Sequence, residues 1–169
     1  DVCSSPYTVA EEEKINFLAD SIEVNLGNRR VLIKNLGIAH TKGDLIAYDF
    51  NTNTYITGDV IFIGRAAAFS DANIPMWINV INNKLDLSWD YLIPGHGSII
   101  NNKLELNDTK NWLYFLDNAA KQAVSEGDMI SEIFQYPIPK EIHHLKMKSI
   151  TLRQGIKKQL DLYRKKYIE

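Results

Sequence analysis

The sequence has 169 residues, enough to bury a core as one domain and short for two. Its 45% hydrophobic and 24% charged content is ordinary for a globular chain, and a net charge of −2 gives no basis for binding a polyanion such as nucleic acid. The single cysteine, Cys3, rules out an internal disulfide, and no apolar run reaches the roughly 18 to 20 residues of a membrane span.

In chain order, a short helix is expected over Val9 to Phe17, where Glu11 to Glu13 favour a helix N-terminus. Two strands follow, Ser21 to Leu26 and Arg29 to Leu36, joined at the hairpin signal Gly27-Asn28. A second strand pair, Leu45 to Phe50 and Thr54 to Val60, is linked by the polar tip Asn51-Thr52-Asn53. Pro75 suits the first turn of a helix running through Trp77, Ile78 and Ile81. Tyr91-Leu92-Ile93 reads as a short apolar strand stopping at Pro94. From Asn107, a good N-cap, the stripe Trp112, Leu116, Ala119, Ala120, Ala123 and Val124 marks a helix that Gly127 ends. Asp128 is placed to cap a shorter helix closed by Pro137, and Leu152, Ile156, Leu160, Tyr163 and Tyr167 form one face of a terminal helix. Strands first and helices after predict an α/β sheet covered by helices on one outer face.

Three segments carry candidate chemistry: Ala39-His40-Thr41-Lys42-Gly43-Asp44, Ile56-Thr57-Gly58-Asp59 and Pro94-Gly95-His96-Gly97. Each sets a possible metal donor beside a glycine where a strand is expected to end. Imidazole nitrogens with a carboxylate oxygen make a good donor set for zinc or iron. Singly, each segment is an ordinary turn or strand-end feature; their order and matching contexts argue for one metal site.

His-Thr-x-Gly, then a hairpin ending in Thr-Gly-Asp, then Pro-Gly-His-Gly after an apolar strand resembles the second half of the metallo-β-lactamase-fold hydrolases. The resemblance runs from about Ile22 to the C-terminus. Gly58-Asp59 to Gly64-Arg65, followed by Ser70 to Ile78, is similar to the branch known as quinoprotein-relay zinc metallohydrolases. The resemblance implies an αββα sandwich, with residues 1–169 as the C-terminal half of a single domain, one mixed β-sheet with its covering helices. His40 would then be the third histidine of a first metal site, Asp59 the carboxylate bridging two zinc ions and orienting the attacking hydroxide, and His96 the histidine of a second site. Asp59 stands where several β-lactamases carry cysteine, which disfavours a β-lactam; glyoxalase II-like and other ester or thioester hydrolases have aspartate there.

The family's H-x-H-x-D-H motif is nowhere in this sequence. Asp1 is not an initiator methionine, so a trimmed or truncated chain is expected. Its missing ligands would come from an N-terminal half of the same domain, a second chain or a swapped dimer, and the chain alone would bind metal weakly and be inactive. The expected substrate is a small molecule, with neither nucleic acid nor a membrane as partner. Two rival readings are an iron-dependent persulfide dioxygenase-like enzyme of the same fold and a binding module without catalysis. The compartment stays open between periplasm and cytoplasm, the branch resemblance leaning to the periplasm.

Other residues have simpler readings. His143-His144 are expected to be solvated or packing residues, the resemblance leaving room for a contact near the substrate entrance, and Asp44 a turn residue or a support behind the ligands rather than a ligand. Arg65 is balanced between holding a substrate carboxylate and forming a structural ion pair. Trp77, Trp112 and Tyr114 are expected to pack the core or a helix face.

Overall fold

The structure, a computed structural model, describes residues 20–69, 72–86 and 88–168. The helix expected over Val9 to Phe17 lies outside them, as do Ser70 and Asp71.

Five strands form one mixed sheet in chain order: β1 (Ser21–Asn25), β2 (Arg30–Gly37), β3 (Asp44–Asp49), β4 (Thr54–Phe62) and β5 (Tyr91–His96). The first four are antiparallel neighbours, β1–β2 and β3–β4 joined by tight turns and β2–β3 by a longer loop. The β2–β3 link carries His40, and the β3–β4 tip is held by Asp49, whose carboxylate accepts from Asn51 N (3.0 Å) and Thr52 Oγ1 (2.8 Å). β4 and β5 run parallel, so the chain must cross over between them, and helix α1 (Ile74–Asn83) lies in that crossover. Asn73 caps α1 by accepting from Met76 N, and Pro75 occupies its first turn.

Three further helices follow: α2 (Asn107–Glu126), α3 (Ile130–Ile133) and α4 (Lys148–Ile168). α2 is the hub, packing on α1, on α4 and on β4. The core between sheet and helices contains Leu36, Tyr55, Phe62, Trp77, Leu92, Trp112, Leu113 and Leu116, all essentially inaccessible.

Some boundaries differ from expectation. Pro94 does not stop β5, which continues to His96; β5 is an edge strand, where a residue without an N–H is tolerated. Asn107 does not cap α2, because a 3₁₀ turn over Lys103–Leu106, capped by Asn102, runs directly into the helix. Asp128 does not cap α3; its carboxylate accepts from the Tyr136 hydroxyl (2.5 Å), which drives that phenol's pKa far above its usual value. Of the two roles expected for Tyr114 it takes the second: it is partly exposed and joins two helices, accepting a hydrogen bond on α2 from Asn82 Nδ2 of α1 (2.8 Å).

Among the described residues, no helix lies on the other face of the sheet. The strand register places Ile22, Ile33, Ala47, Ile56 and Ile93 in one row across all five strands. Ile22 is 46% exposed and Ile56 45%, whereas the next row, with Leu32, Tyr48, Tyr55 and Leu92, faces the helices.

Candidate metal centre

Because β4 and β5 are parallel, their C-terminal ends reach the same edge of the sheet, which is where open α/β sheets hold ligands. His96 is the last residue of β5. Asp59, expected at a strand end, instead sits inside β4 at an irregularity in its pairing, where Gly58 takes a positive φ of 51°. A left-handed residue inside a strand breaks the alternation and re-aims the next side chain. The strand can then run on to Phe62 while Asp59 turns toward β5.

The result is a pair: His96 Nε2 lies 3.5 Å from Asp59 Oδ1, both side chains somewhat under half exposed. That distance is long for a hydrogen bond. It matches two donors of one tetrahedral zinc, which bond lengths of about 2.0–2.2 Å put about 3.4 Å apart. Gly95 makes room for it, since a Cβ there would lie far inside van der Waals contact of Asp59 Oδ1 and 2.7 Å from Asp59 N. The neighbouring strand is pinned as well, with Ile63 N donating to His96 O (2.8 Å).

His40 is placed differently. It is 8% exposed, and its ring meets Trp77 edge-on at 5.2 Å and Phe62 at 5.7 Å. Phe62 also stacks on His96, with ring centroids 5.0 Å apart and planes 27° from parallel. The two histidines therefore share one aromatic ring. The loop bearing His40 is held by backbone bonds from Ala39 N to Thr41 O (3.1 Å) and from Asn73 N to Ala39 O (2.9 Å). Asp44 is the expected turn residue, its carboxylate accepting from Thr41 N (2.9 Å) and Thr41 Oγ1 (2.8 Å).

The structure thus brings His96 and Asp59 together and leaves His40 beside them across Phe62. Among the described residues, no three His, Cys, Asp or Glu side chains are grouped to hold one ion. The donor chemistry fits a metal as a partial site: one imidazole–carboxylate pair at ligand spacing and a second imidazole close by.

Several supporting residues escape the sequence reading. Phe62 looks like any buried strand residue, and only its pairing opposite His96 gives it a role at the site. Trp77, expected in the core, is there, and its Nε1 donates to Val60 O (2.8 Å), tying α1 to β4 beside Asp59. The start of α2 holds the end of β4: Thr109 Oγ1 donates to Phe62 O (2.7 Å) and accepts from Phe62 N (2.9 Å), while Asp108 Oδ2 accepts from Gly64 N (2.7 Å). His144, expected to be merely solvated or packed, bonds through Nε2 to Asp108 Oδ1 (2.8 Å), and His143 Nε2 meets Ile138 O (2.8 Å). Among the described residues Arg65 forms no ion pair; its guanidinium lies 6.0 Å from the Phe62 ring centroid and its Nε is buried without an acceptor there.

No protein-family model matches the sequence, and no curated protein matches it. Solved structures do resemble the fold. A metallo-beta-lactamase from Pontibacter korlensis aligns at TM-score 0.51 and 18% identity over 57% of this chain and 47% of its own. A stereoselective inverting sec-alkylsulfatase from Pseudomonas sp. aligns at TM-score 0.69 and 16% identity, over 85% of this chain and 26% of its own. At these identities the likeness is one of fold. The chain spans about half the length of the first structure and about a quarter of the second.

Proposed function

We propose that this chain, which has the metallo-β-lactamase fold, contributes His40, Asp59 and His96 to the centre of a zinc-dependent hydrolase acting on an ester, thioester or amide. The observation that carries the reading is the His96–Asp59 pair at 3.5 Å, half-open at the edge where β4 and β5 end together. The spacing is long for a hydrogen bond and suits two donors of one ion.

When bound, zinc supplies Lewis acidity: it lowers the pKa of a water to about 7 and polarises the carbonyl it meets. His96 and Asp59 supply an uncharged nitrogen and an anionic oxygen side by side, and His40 a second nitrogen. Asp59, with Oδ1 turned to His96, keeps Oδ2 to accept a hydrogen bond from the attacking water and so to orient it. Phe62 and Trp77 fix the planes of the histidines by packing, which limits the reorganisation needed when the transition state forms. Further ligands and the general acid belong to a second half that packs on the open face of this sheet, completing the αββα sandwich. Support for that assignment is the apolar row on the open face and the 47% of the Pontibacter enzyme's length that this chain spans.

The test is substitution in the complete, metal-loaded protein. His96→Ala and His40→Ala should each lower metal-dependent ester hydrolysis by at least about a hundredfold with an unchanged circular dichroism spectrum. Hydrolysis surviving either change rejects the assignment of that ligand. Iron in the purified protein, with oxygen consumed during turnover, rejects the hydrolase reading altogether.

A further inference from the structure

A surface helix usually scatters charges over its outer face. On α2, Asn111, Tyr114, Phe115, Asn118 and Gln122 are spaced to share one side of the helix over about 16 Å, and none is charged. Opposite them runs the segment from Tyr136 to Pro139, with Pro139 extended at φ −58° and ψ 141°. Two cavities, of about 210 and 330 Å³, open between helix and segment and share Phe115, Asn118 and Pro139. None of their lining residues belongs to the candidate metal centre. Adjoining pockets with a common wall suit a ligand of two similar units, and Asn111 and Asn118 stand about 10 Å apart along the helix axis.

The lining decides the chemistry. Among the described residues no lysine, arginine or histidine lines either cavity, so a phosphate, sulfate or carboxylate would find no counter-charge. Glu141 is the one ionised group there, and its carboxylate accepts hydrogen bonds only. The side-chain amides of Asn111 and Asn118 are unspent among the described residues, and Gln122 commits only its Nε2, to Glu126 (3.2 Å). An amide both donates and accepts, which is what a hydroxyl group asks of its partner. Flat apolar surfaces supply the rest of the wall. The Phe115 ring is braced by Trp112, with centroids 5.9 Å apart, and the Tyr136 ring by its hydroxyl's bond to Asp128 Oδ2 (2.5 Å). The negative face of an aromatic ring meets the weakly positive C–H face of a sugar ring. Fixed rings with unspent amides beside them thus match a neutral molecule that presents C–H faces and hydroxyls together.

We propose that this pair of cavities is a binding site for a neutral disaccharide, one ring against Tyr136 and Phe115 and the other beside Tyr114 and Pro139. Asn118, common to both cavities, bonds hydroxyls on either side of the linkage, and Glu141 accepts from the ring next to Asn111. The site goes beyond the hydrolase reading and stands whether or not the metal centre cleaves an ester.

The complete protein, with isotope-labelled asparagine, is titrated with maltose, cellobiose and diacetylchitobiose while the side-chain amide resonances of Asn111 and Asn118 are followed by NMR. The expected result is a saturable shift of both with at least one of the three, at a Kd on the order of 1 mM. Phe115→Leu keeps apolar bulk and removes the flat ring; Asn118→Ala removes the shared amide at an exposed position. Each should weaken that binding at least about fivefold with an unchanged circular dichroism spectrum. Adenosine and a short uncharged proline-rich peptide probe the other partners that rings and amides could take. A response to either of these with none to the sugars overturns the proposal. Silence toward all three disaccharides at about ten times that concentration does the same, as does unweakened binding in both variants.

Discussion

Phe62 shows how one side chain can organise a site without joining its chemistry. Fully buried, its ring contacts both histidines and sits near the Arg65 guanidinium. Its backbone N–H and C=O are both taken by Thr109 Oγ1. Imidazoles on loops would otherwise keep several orientations, and ordering them at the moment of metal binding would cost affinity. Gly95 plays the complementary part by staying small. Gly95→Ala puts a methyl group where Asp59 Oδ1 now lies, and the backbone of residues 58 and 59 leaves it nowhere to move. We expect this variant to fold with lower stability, β4 and β5 pushed apart at residues 58 and 59, and to lose roughly ten- to a hundredfold in zinc affinity, measured by competition with a chromogenic chelator on the folded fraction. Wild-type affinity in Gly95→Ala means that Asp59 is not a ligand in the position described.

At the scale of elements, the α2–α4 contact is fastened by a buried polar cluster. Asp117 Oδ1 accepts from Gln159 Nε2 (2.7 Å) and Tyr163 OH (2.5 Å), and its Oδ2 accepts from Lys121 Nζ (2.6 Å). Burial, reinforced by the Asp117 carboxylate, pushes the Tyr163 phenol above its usual pKa, so it stays a donor throughout the neutral range. Asp117→Ala removes the acceptor of all three donors, of which Lys121 can turn to water and Gln159 is fully buried, and is expected to cost about 2 to 4 kcal/mol in chemical denaturation. A loss under about 0.5 kcal/mol, the range of an ordinary surface substitution, shows that α4 does not depend on this cluster. Most elements were legible in the sequence, because hairpin signals, the Asn73-Ile74-Pro75 helix start and the α2 stripe are local patterns. What escaped depends on neighbours remote in the chain. Pro94 fits because β5 is an edge strand, and the site's supports, Phe62, Thr109 and Asp108, come together only when α2 lies on β4. Local pattern placed His40, Asp59 and His96 near strand ends, but nothing in it could show that the second and third would meet while the first stays across a ring.

At the scale of the whole molecule, the described helices all cover one side of the sheet. The row Ile22, Ile33, Ala47, Ile56 and Ile93, with the half-exposed Tyr91 and Leu45 close to it, forms a continuous apolar face of a kind that normally packs against a second sheet about 10 Å away. The chain studied by itself should therefore self-associate, and Ile56→Lys, a charge in the middle of that row, should reduce the association in sedimentation velocity; a monodisperse wild-type monomer speaks against the half-sandwich. Completing the sandwich and completing the metal centre are the same event on this account. The most direct test is the zinc content of the complete protein, measured by mass spectrometry after dialysis against metal-free buffer, beside Asp59→Asn and His96→Ala. The account predicts bound zinc in the wild type and a loss of at least one equivalent in each variant. Equal zinc in all three proteins would contradict it.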